Sequence, residues 1–462
     1  MQCSVDRFFK RIKGRRVAFC GIGTSNLPLI KLFSEKGAIV SACDAKNEAQ
    51  LAEVIEQLKP YLVELKLGAD YLKNLNVDII FRSPGLNFFS PELVEAQKNG
   101  VVVTSEMELF FDLCPCKIVA VTGSDGKTTT TTIISELLKQ EGKNVHLGGN
   151  IGTPLLPRIE SIREDDVAVV ELSSFQLISM RKSPDVAVIT NISPNHLDVH
   201  KDMTEYIEAK KNIVFHQNAF SRTVLNLDNE ITKQFSDSVR GQAVFFSAKS
   251  ACENGVYLDG DTIFFAKTGA AQPVLNVNDI RIPGKHNVEN YMAAIAAVLD
   301  EVSLESIRTV ARTFSGVEHR TEFVREVDGV RYYNDSIASS PTRTICGTLS
   351  LFPQKIIMIS GGYDKKIPFD TLGSVIAEKV KVLILLGQTA DKIRDSVVNS
   401  SKFSSDELKI IMVKNMDEAV AVARENAVRG DIVSLSPACA SFDLYENFAA
   451  RGRHFKELVN KL

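Results

Sequence analysis

Thr122-Gly123-Ser124-Asp125-Gly126-Lys127-Thr128 decides how this chain is read. The residues before it, Lys117 to Val121, form a short apolar run, and Lys127 to Gln140 carries a helical pattern. A glycine-rich turn between a buried strand and a helix start is the setting a phosphate loop requires. Backbone N–H groups of such a turn face an anion, a lysine neutralises β and γ phosphate oxygens, and the next hydroxyl can ligate magnesium. Gly123, Ser124, Asp125, Gly126, Lys127, Thr128 and Thr129 are therefore the expected nucleotide-binding residues. The full Walker spacing needs a glycine where Val121 stands, so the match is to the shortened form Gly-x-x-Gly-Lys-Thr.

Working outward, Val167 to Glu171 reads as a buried strand that leads into Leu172-Ser173-Ser174-Phe175-Gln176. A carboxylate leaving the carboxyl edge of a strand beside a phosphate loop stands where nucleotide enzymes hold magnesium. Taken alone, a strand-end glutamate is more often simply solvated. Val186 to Thr190 is the next strand, followed by Asn191-Ile192-Ser193-Pro194-Asn195-His196-Leu197-Asp198-Val199-His200. One of its histidines facing the same crevice can serve as a metal ligand or orient a substrate, although an isolated histidine is more often structural.

Short β-branched runs alternate with helical patterns through most of the chain, which calls for parallel sheets covered by helices and an α/β fold. Arg16 to Cys20, the turn Gly21-Ile22-Gly23, a helix from Asn26 to Glu35 and a strand from Ala38 to Cys43 make a Rossmann-like opening. Its third fingerprint glycine is replaced by Asn26, which weakens a dehydrogenase reading. The turn, with Thr24 and Ser25, and Asp44 on the next strand can hold a nucleotide diphosphate and its sugar, so UDP fits as well as NAD. Ser83-Pro84-Gly85 supplies a second loop at the same sheet edge. Further strands are expected at Asp78 to Phe81 and Val101 to Val103, and the first domain ends near Ser105. The central domain adds helices at about Thr204 to Phe215 and at Asn287 to Leu299, and a hairpin over Gly255 to Phe265. A third domain opens near Val317 with a hairpin turning at Asp328-Gly329, then strands at Lys355 to Ile359, Val382 to Leu386, Ile410 to Val413 and Ile432 to Leu435. The expected division is 1–105, 106–316 and 317–462.

The chain has 462 residues, enough for roughly two to four domains. With 44% hydrophobic and 24% charged residues it reads as globular, not disordered. A formal net charge of -3 provides no global attraction to nucleic acid or anionic lipid, so any anion site is built locally. The eight cysteines are scattered, and Cys114 and Cys116 lack a second Cys or His pair that would complete a zinc site. Neither a secretory core nor a membrane-length apolar run is present, and a cytoplasmic monomer with no nucleic-acid or membrane partner is the expectation.

Read in order, these motifs resemble the Mur ligases of bacterial cell-wall synthesis over essentially the whole chain. The blocks are GSDGKTT, GGNIGTP from Gly148, ELSSFQL from Glu171, NISPNHLD from Asn191, YIEAKKN from Tyr206, GKHNVENYMAA from Gly284, GVEHR from Gly316, NDSIASSPT from Asn334 and SPACASFDLYENFAARG from Ser436. ELSSFQL and the last block look most like the branch that adds D-glutamate to UDP-N-acetylmuramoyl-L-alanine. The resemblance implies a UDP-substrate domain, a central P-loop ATPase and a C-terminal Rossmann-like domain that binds the amino acid. ATP and magnesium are the implied cofactors. It places Asn290, Arg320 and Asp335 on ATP, Asn150, Ser173, Glu171, His196 and Lys210 around the metals and muramoyl substrate, and Lys365, Ser441 and Phe448 in the D-glutamate pocket. Lys127, Glu171, His196 and Lys210 carry the catalysis in this reading, and Thr128, Glu171, His196 and Lys210 hold the metals. Lys210 stands where the family carries a carbamylated lysine. One departure is Ile337, where family members often have lysine; Lys366 or Arg343 can supply the missing charge. The rivals are the L-alanine-adding branch and a non-catalytic nucleotide switch, which turns over nucleotide without a carboxylate or amine partner.

Overall fold

The computed structural model describes residues 2–196, 199–268 and 270–462; Leu197 and Asp198, which end the NISPNHLD block, lie outside them. The first sheet contains β1 (Arg16–Cys20), β2 (Ile39–Asp44), β3 (Val63–Leu67), β4 (Ile79–Arg82) and β5 (Val102–Thr104) in the order β3-β2-β1-β4-β5. All four pairings are parallel. The order reverses between β1 and β4, which opens a crevice at their carboxyl ends, where the Gly21 and Ser83 turns stand.

The second sheet contains β6 (Lys117–Thr122), β7 (Val145–Gly149), β8 (Val167–Glu171), β9 (Val186–Ile189), β10 (Arg222–Asn226), β11 (Gln242–Ser247), β12 (Gly255–Asp259), β13 (Thr262–Lys267) and β14 (Ala270–Asn276). Its order is β14-β13-β12-β11-β10-β9-β6-β8-β7, parallel from β7 to β12 and antiparallel in the β12-β13-β14 tail. β6 lies between β8 and β9, and Ile118 to Val121, all buried, read as an unbroken apolar run because helices cover both faces of a parallel sheet. The loops after β6, β8 and β9 therefore converge on one switch point.

Five consecutive threonines are poor helix formers, yet Lys127–Gln140 is helical. Thr131 and Thr132 each donate a hydroxyl to the carbonyl four residues back, at 2.8 Å, and Ile133, Ile134, Leu137 and Leu138 are fully buried. Packing against the sheet, not intrinsic propensity, holds this helix. The aromatic rings of Phe9, Phe19, Phe33 and Phe81 form the centre of the first sheet's core, which continues into residues of the second sheet such as Ala120 and Val170.

The third sheet contains β15 (Glu322–Val327), β16 (Val330–Asn334), β17 (Ile356–Ser360), β18 (Val380–Leu385), β19 (Lys409–Met412) and β20 (Ile432–Leu435), in the order β15-β16-β20-β17-β18-β19. The β15-β16 hairpin is antiparallel and the rest is parallel. Packing groups the chain into two compact units, Met1–Asp279 with Val288–Val310, and Ile280–Asn287 with Ala311–Leu462. The first two sheets share the former and the third sheet forms the latter. No helix among the described residues is long and apolar enough to cross a membrane.

Candidate active site

The turn after β6 is shaped by two glycines. Gly123 and Gly126 have φ of +151° and +78°, and a Cβ on either would collide with a fixed polar group, the Thr190 hydroxyl at Gly123 and the Asn290 amide oxygen at Gly126. Only glycine allows both the backbone conformation and the approach. The loop is stapled from the end of β9. The Asp125 N–H donates to Asn191 Oδ1 at 3.0 Å, and the Asp125 carbonyl accepts from Thr190 Oγ1 at 2.6 Å and Asn191 Nδ2 at 3.2 Å. Ser124 Oγ donates to the Ser193 carbonyl and accepts from the Ser193 N–H, each at 2.9 Å, and contacts the Tyr206 hydroxyl at 2.9 Å. Thr130 Oγ1 donates to Asn290 Oδ1 at 3.2 Å, which brings Asn290 to the helix start.

Lys127 Nζ donates to the Ser124 carbonyl at 2.8 Å, so its ammonium lies over the loop it serves. Thr128 Oγ1 donates to Glu171 Oε2 at 2.7 Å, and Asn150 Nδ2 donates to Glu171 Oε1 at 2.7 Å. Glu171 is buried, which sets it apart from an ordinary solvated strand-end carboxylate. Thr128, Asn150 and Glu171 are thus joined in one cluster at the carboxyl ends of β6, β7 and β8. Ser173 caps the next short helix, accepting from the Gln176 N–H at 3.3 Å.

Lys210, on the helix Met203–Phe215, is 1% exposed. Its Nζ donates to the Gly123 carbonyl at 2.8 Å and to Thr122 Oγ1 at 3.2 Å, with the Tyr206 ring 4.8 Å away. Burial, aided by the nearby Lys127 ammonium, pulls this amine well below the usual lysine range, against the opposing pull of Glu171 and Asp125. The two histidines of the post-β9 segment separate clearly. His200 is buried, with its Nδ1 2.9 Å from Glu205, its Nε2 2.9 Å from Ser174 Oγ and its ring stacked on Phe175, as a structural histidine is. His196 adopts a left-handed φ of +55° and meets Phe175 edge-on at 5.3 Å.

At the first sheet, Asp44 is engaged in shaping its own turn. Its Oδ2 accepts from the Ile22 N–H at 2.7 Å and its Oδ1 from the Lys46 N–H at 2.9 Å. Asn26, which takes the place of the third fingerprint glycine, donates to the carbonyls of Gly21 at 3.0 Å and Cys20 at 3.4 Å and so closes the turn from beneath. Thr24 is exposed, and Ser25 and Ser83 are partly exposed at this edge.

In the second unit, Asp335 follows β16. Its Oδ1 accepts from the Thr321 N–H at 3.1 Å and its Oδ2 from Thr348 Oγ1 at 2.8 Å. Burial pushes its carboxyl up to about 6, against the pull of these bonds and of the Arg320 charge. Arg320 and Asp335 thus lie near one another. Ser441 is buried, and Phe448 is 39% exposed and edge-on to His319 at 5.9 Å. Lys365 is exposed on the loop after β17, and the bridge between Tyr363 and Ala440 brings that loop beside Ser441. Ile337 is half-buried and Arg343 is exposed on the short helix Pro341–Thr344.

Sequence reasoning gave no role to Thr190, Asn191 or Tyr206, which hold the phosphate loop, although Thr190 ends a strand it placed and Asn191 and Tyr206 open blocks it quoted. The available signal was a Thr-Asn pair directly after a fully apolar strand. Arg451 was also missed. It is buried, and its guanidinium donates to carbonyls of Ser336, Cys439 and Ala440 at 2.9 to 3.1 Å, tying the post-β16 and post-β20 loops together.

Three family models match in order: Mur ligase MurD-like N-terminal domain over residues 15–105, Mur ligase middle domain over 121–298, and Mur ligase glutamate ligase domain over 319–439. The chain is 53% identical over 467 aligned residues to the UDP-N-acetylmuramoylalanine–D-glutamate ligase of Acetivibrio thermocellus, and 50% identical to the ligase of that name from Ruminiclostridium cellulolyticum, with all of each chain covered. Among solved structures, the UDP-N-acetylmuramate-alanine ligase of Thermotoga maritima superposes with a TM-score of 0.58 at 18% identity, covering 97% of this chain and 99% of that one. A UDP-N-acetylmuramoyl-L-alanyl-D-glutamate–2,6-diaminopimelate ligase gives 0.60 at 18%, covering 98% and 94%, and both show the fold. With the domain models in this order and relatives matched from end to end, the chain belongs to the Mur ligase family.

Proposed function

We propose that this chain catalyses the ATP-dependent addition of D-glutamate to UDP-N-acetylmuramoyl-L-alanine, a step in making peptidoglycan precursors, and that it acts as a cytoplasmic monomer. The observation that carries the reaction type is the cluster of Lys127, Thr128 and Glu171 at the ends of two adjacent parallel strands. Identity of about half along the full length to ligases of that name supports the choice of substrate and amino acid.

In this reading the alanyl carboxylate attacks the γ phosphorus of ATP, forming an acyl phosphate and releasing ADP. The D-glutamate amine then attacks the acyl carbon; the amide forms, and inorganic phosphate and a proton leave. Two anions must meet, so positioning and charge neutralisation supply most of the acceleration. Lys127 and the loop N–H groups neutralise phosphate oxygens, and Asn290, Arg320 and Asp335 hold the rest of ATP. Thr24, Ser25, Asp44 and Ser83 seat the uridine diphosphate end. Asn150, Ser173 and His196 orient the muramoyl part, while Lys365, Ser441 and Phe448 receive D-glutamate.

The Thr128 hydroxyl and Glu171 carboxylate are hard oxygen donors within hydrogen-bond distance of one another, a donor set that fits magnesium with waters retained. Thr128 and Glu171 would hold such an ion, which would supply further positive charge against the phosphates. The family resemblance adds His196 and Lys210 as the further ligands. Burial weakens the hold of the Lys210 amine on its proton; once that proton is lost the amine adds to carbon dioxide with loss of a second proton, and the resulting carbamate offers anionic oxygens in place of the ammonium.

Phosphate release measured with ATP, UDP-N-acetylmuramoyl-L-alanine and a panel of amino acids tests the whole assignment. Release should require both the carboxylate substrate and D-glutamate. Release without either partner would identify a nucleotide switch, and release with UDP-N-acetylmuramate and L-alanine would move the chain to the other branch.

A further inference from the structure

The last residue of β4 is an arginine with no part in the chemistry above. Arg82 is 1% exposed, among the largest fully buried side chains of the molecule. One Nη donates to the Leu86 carbonyl at 3.3 Å, and the other donates to the Phe175 carbonyl and to Ser179 Oγ, both at 2.8 Å. Ser179 passes its own proton on to Glu108 at 3.0 Å, on the helix Glu106–Leu113 between the first two sheets. The Phe88 ring lies 5.4 Å from the guanidinium, and Nε has no hydrogen-bond partner among the described residues. Burying a guanidinium with one donor unsatisfied is costly, so stability alone is a poor account of an arginine here.

The groups it joins are informative. Leu86 closes the turn Ser83-Pro84-Gly85-Leu86, its N–H donating to the Ser83 carbonyl at 3.0 Å. Ser83 presses on the β1 turn so closely that a Cβ on Gly21 would collide with its hydroxyl. Phe175 stands four residues after Glu171, and its ring touches both His196 and His200. One planar side chain therefore fastens the turns at the first sheet's carboxyl edge to the segment beside Glu171, and its fork fixes direction as well as distance.

We infer that Arg82 is a positioning residue that sets the spacing between the diphosphate end of the substrate, held on the first sheet, and the carboxylate presented at the phosphate loop. The inference rests on the reading that one substrate spans both places. Such a substrate is delivered to in-line geometry only if the two sheet edges keep their register, and a shift of the order of 1 Å can cost about 100-fold in rate. A substrate lacking the uridine diphosphate anchor gains nothing from that register.

The test compares Arg82→Ala and Arg82→Lys with wild type on two substrates, UDP-N-acetylmuramoyl-L-alanine and N-acetylmuramoyl-L-alanine 1-phosphate, which lacks the nucleotide. For the full substrate, kcat should fall by about 10- to 100-fold in Arg82→Ala, with the KM for ATP unchanged. For the truncated substrate, kcat/KM should change by less than about threefold. Arg82→Lys, which keeps the charge but not the fork, should fall between, and it carries the comparison if the alanine variant does not fold. Equal losses on both substrates would mark a merely structural arginine and overturn the inference, as would no loss on either. Amide hydrogen exchange provides an arm independent of turnover: residues 83–86 and 174–177 should both exchange faster in the variant, and unchanged protection in either segment overturns the tie. If wild type turns over neither substrate, the ligase reading fails and the exchange arm alone decides the role of Arg82.

Discussion

Two turns in this molecule are built alike and armed differently. Both the turn after β1 and the turn after β6 leave a central parallel strand, pass through glycine at positive φ (Gly21 in the first, Gly123 and Gly126 in the second) and enter a helix at a switch point. In the first, the Ile22 N–H is already taken by Asp44 and the helix-side position is occupied by Asn26, which bonds back to carbonyls. In the second, Lys127 and Thr128 open the helix, Glu171 faces Thr128 from the next strand, and Lys210 bonds the loop carbonyl of Gly123. The topology makes a crevice in each case. Side chains decide what each crevice offers, a lysine, a hydroxyl and a buried carboxylate after β6 and mainly backbone and hydroxyl groups after β1.

The sharpest way to break this comparison is Lys127→Ala. If the second turn alone neutralises the triphosphate, kcat should fall by about 1000-fold or more with circular dichroism and unfolding midpoint unchanged. Near-normal turnover in the folded variant would remove the asymmetry between the turns. Lys210→Ala tests the group with no counterpart at the first turn. Activity should fall by about 10- to 100-fold, and a small carboxylic acid such as formate should restore part of it. Full activity without rescue would exclude the carbamate.

Asp44→Ala probes the other side. Losing two accepted N–H bonds should loosen the β1 turn and raise the KM for the uridine substrate about tenfold, with the KM for ATP unaltered. A parallel rise for ATP would mean that the two turns act as one site.

The smallest effect on catalysis is expected from Glu106→Gln, in the scaffold between the turns. Glu106 Oε1 accepts from the N–H groups of Leu155 and Leu156 at 3.0 and 2.9 Å, and burial pushes its carboxyl up to about 7. The folded chain thus holds this proton more tightly than the unfolded chain. Between the ordinary glutamate range and about pH 7, stability falls as pH rises, by on the order of 3 kcal/mol. Denaturant unfolding should show that slope in wild type and a flatter one in Glu106→Gln, while both KM values stay put. An unchanged slope would mean that Glu106 is not the titrating group.

Much of this arrangement was legible where a signal is local. Lys127–Gln140 and Val167–Glu171 begin and end where the residue pattern places them, because a glycine turn and a fully apolar run punctuate each. β3, β7, β10, β11 and β14 were not read out. β3 and β14 are edge strands, and Val63-Glu64-Leu65-Lys66-Leu67 mixes charge into its alternation as a solvent-facing edge permits. Burial of Lys210 was beyond any local signal. Lys210 and Lys211 are adjacent on one helix, and only the direction each side chain takes separates the 1% exposed amine under the loop from the lysine paired with Glu208. The family resemblance marked Lys210; composition did not. The pairing of Asn290 with Thr130, across 160 residues, was likewise beyond a local pattern; the resemblance marked Asn290 for ATP and did not give this contact.

That last pairing has a consequence for how the protein is made. The loop begins at Gly123, but Asn290, which abuts Gly126 and bonds Thr130, is the last of its walls to leave the ribosome. Until the helix Lys285–Val298 has emerged and docked, the growing chain carries a phosphate loop with one side missing. Contacts so distant in sequence form slowly. In the proposed reading, nucleotide capture is therefore a late event in synthesis, and a chain truncated before Lys285 should retain the loop sequence yet lack a finished pocket.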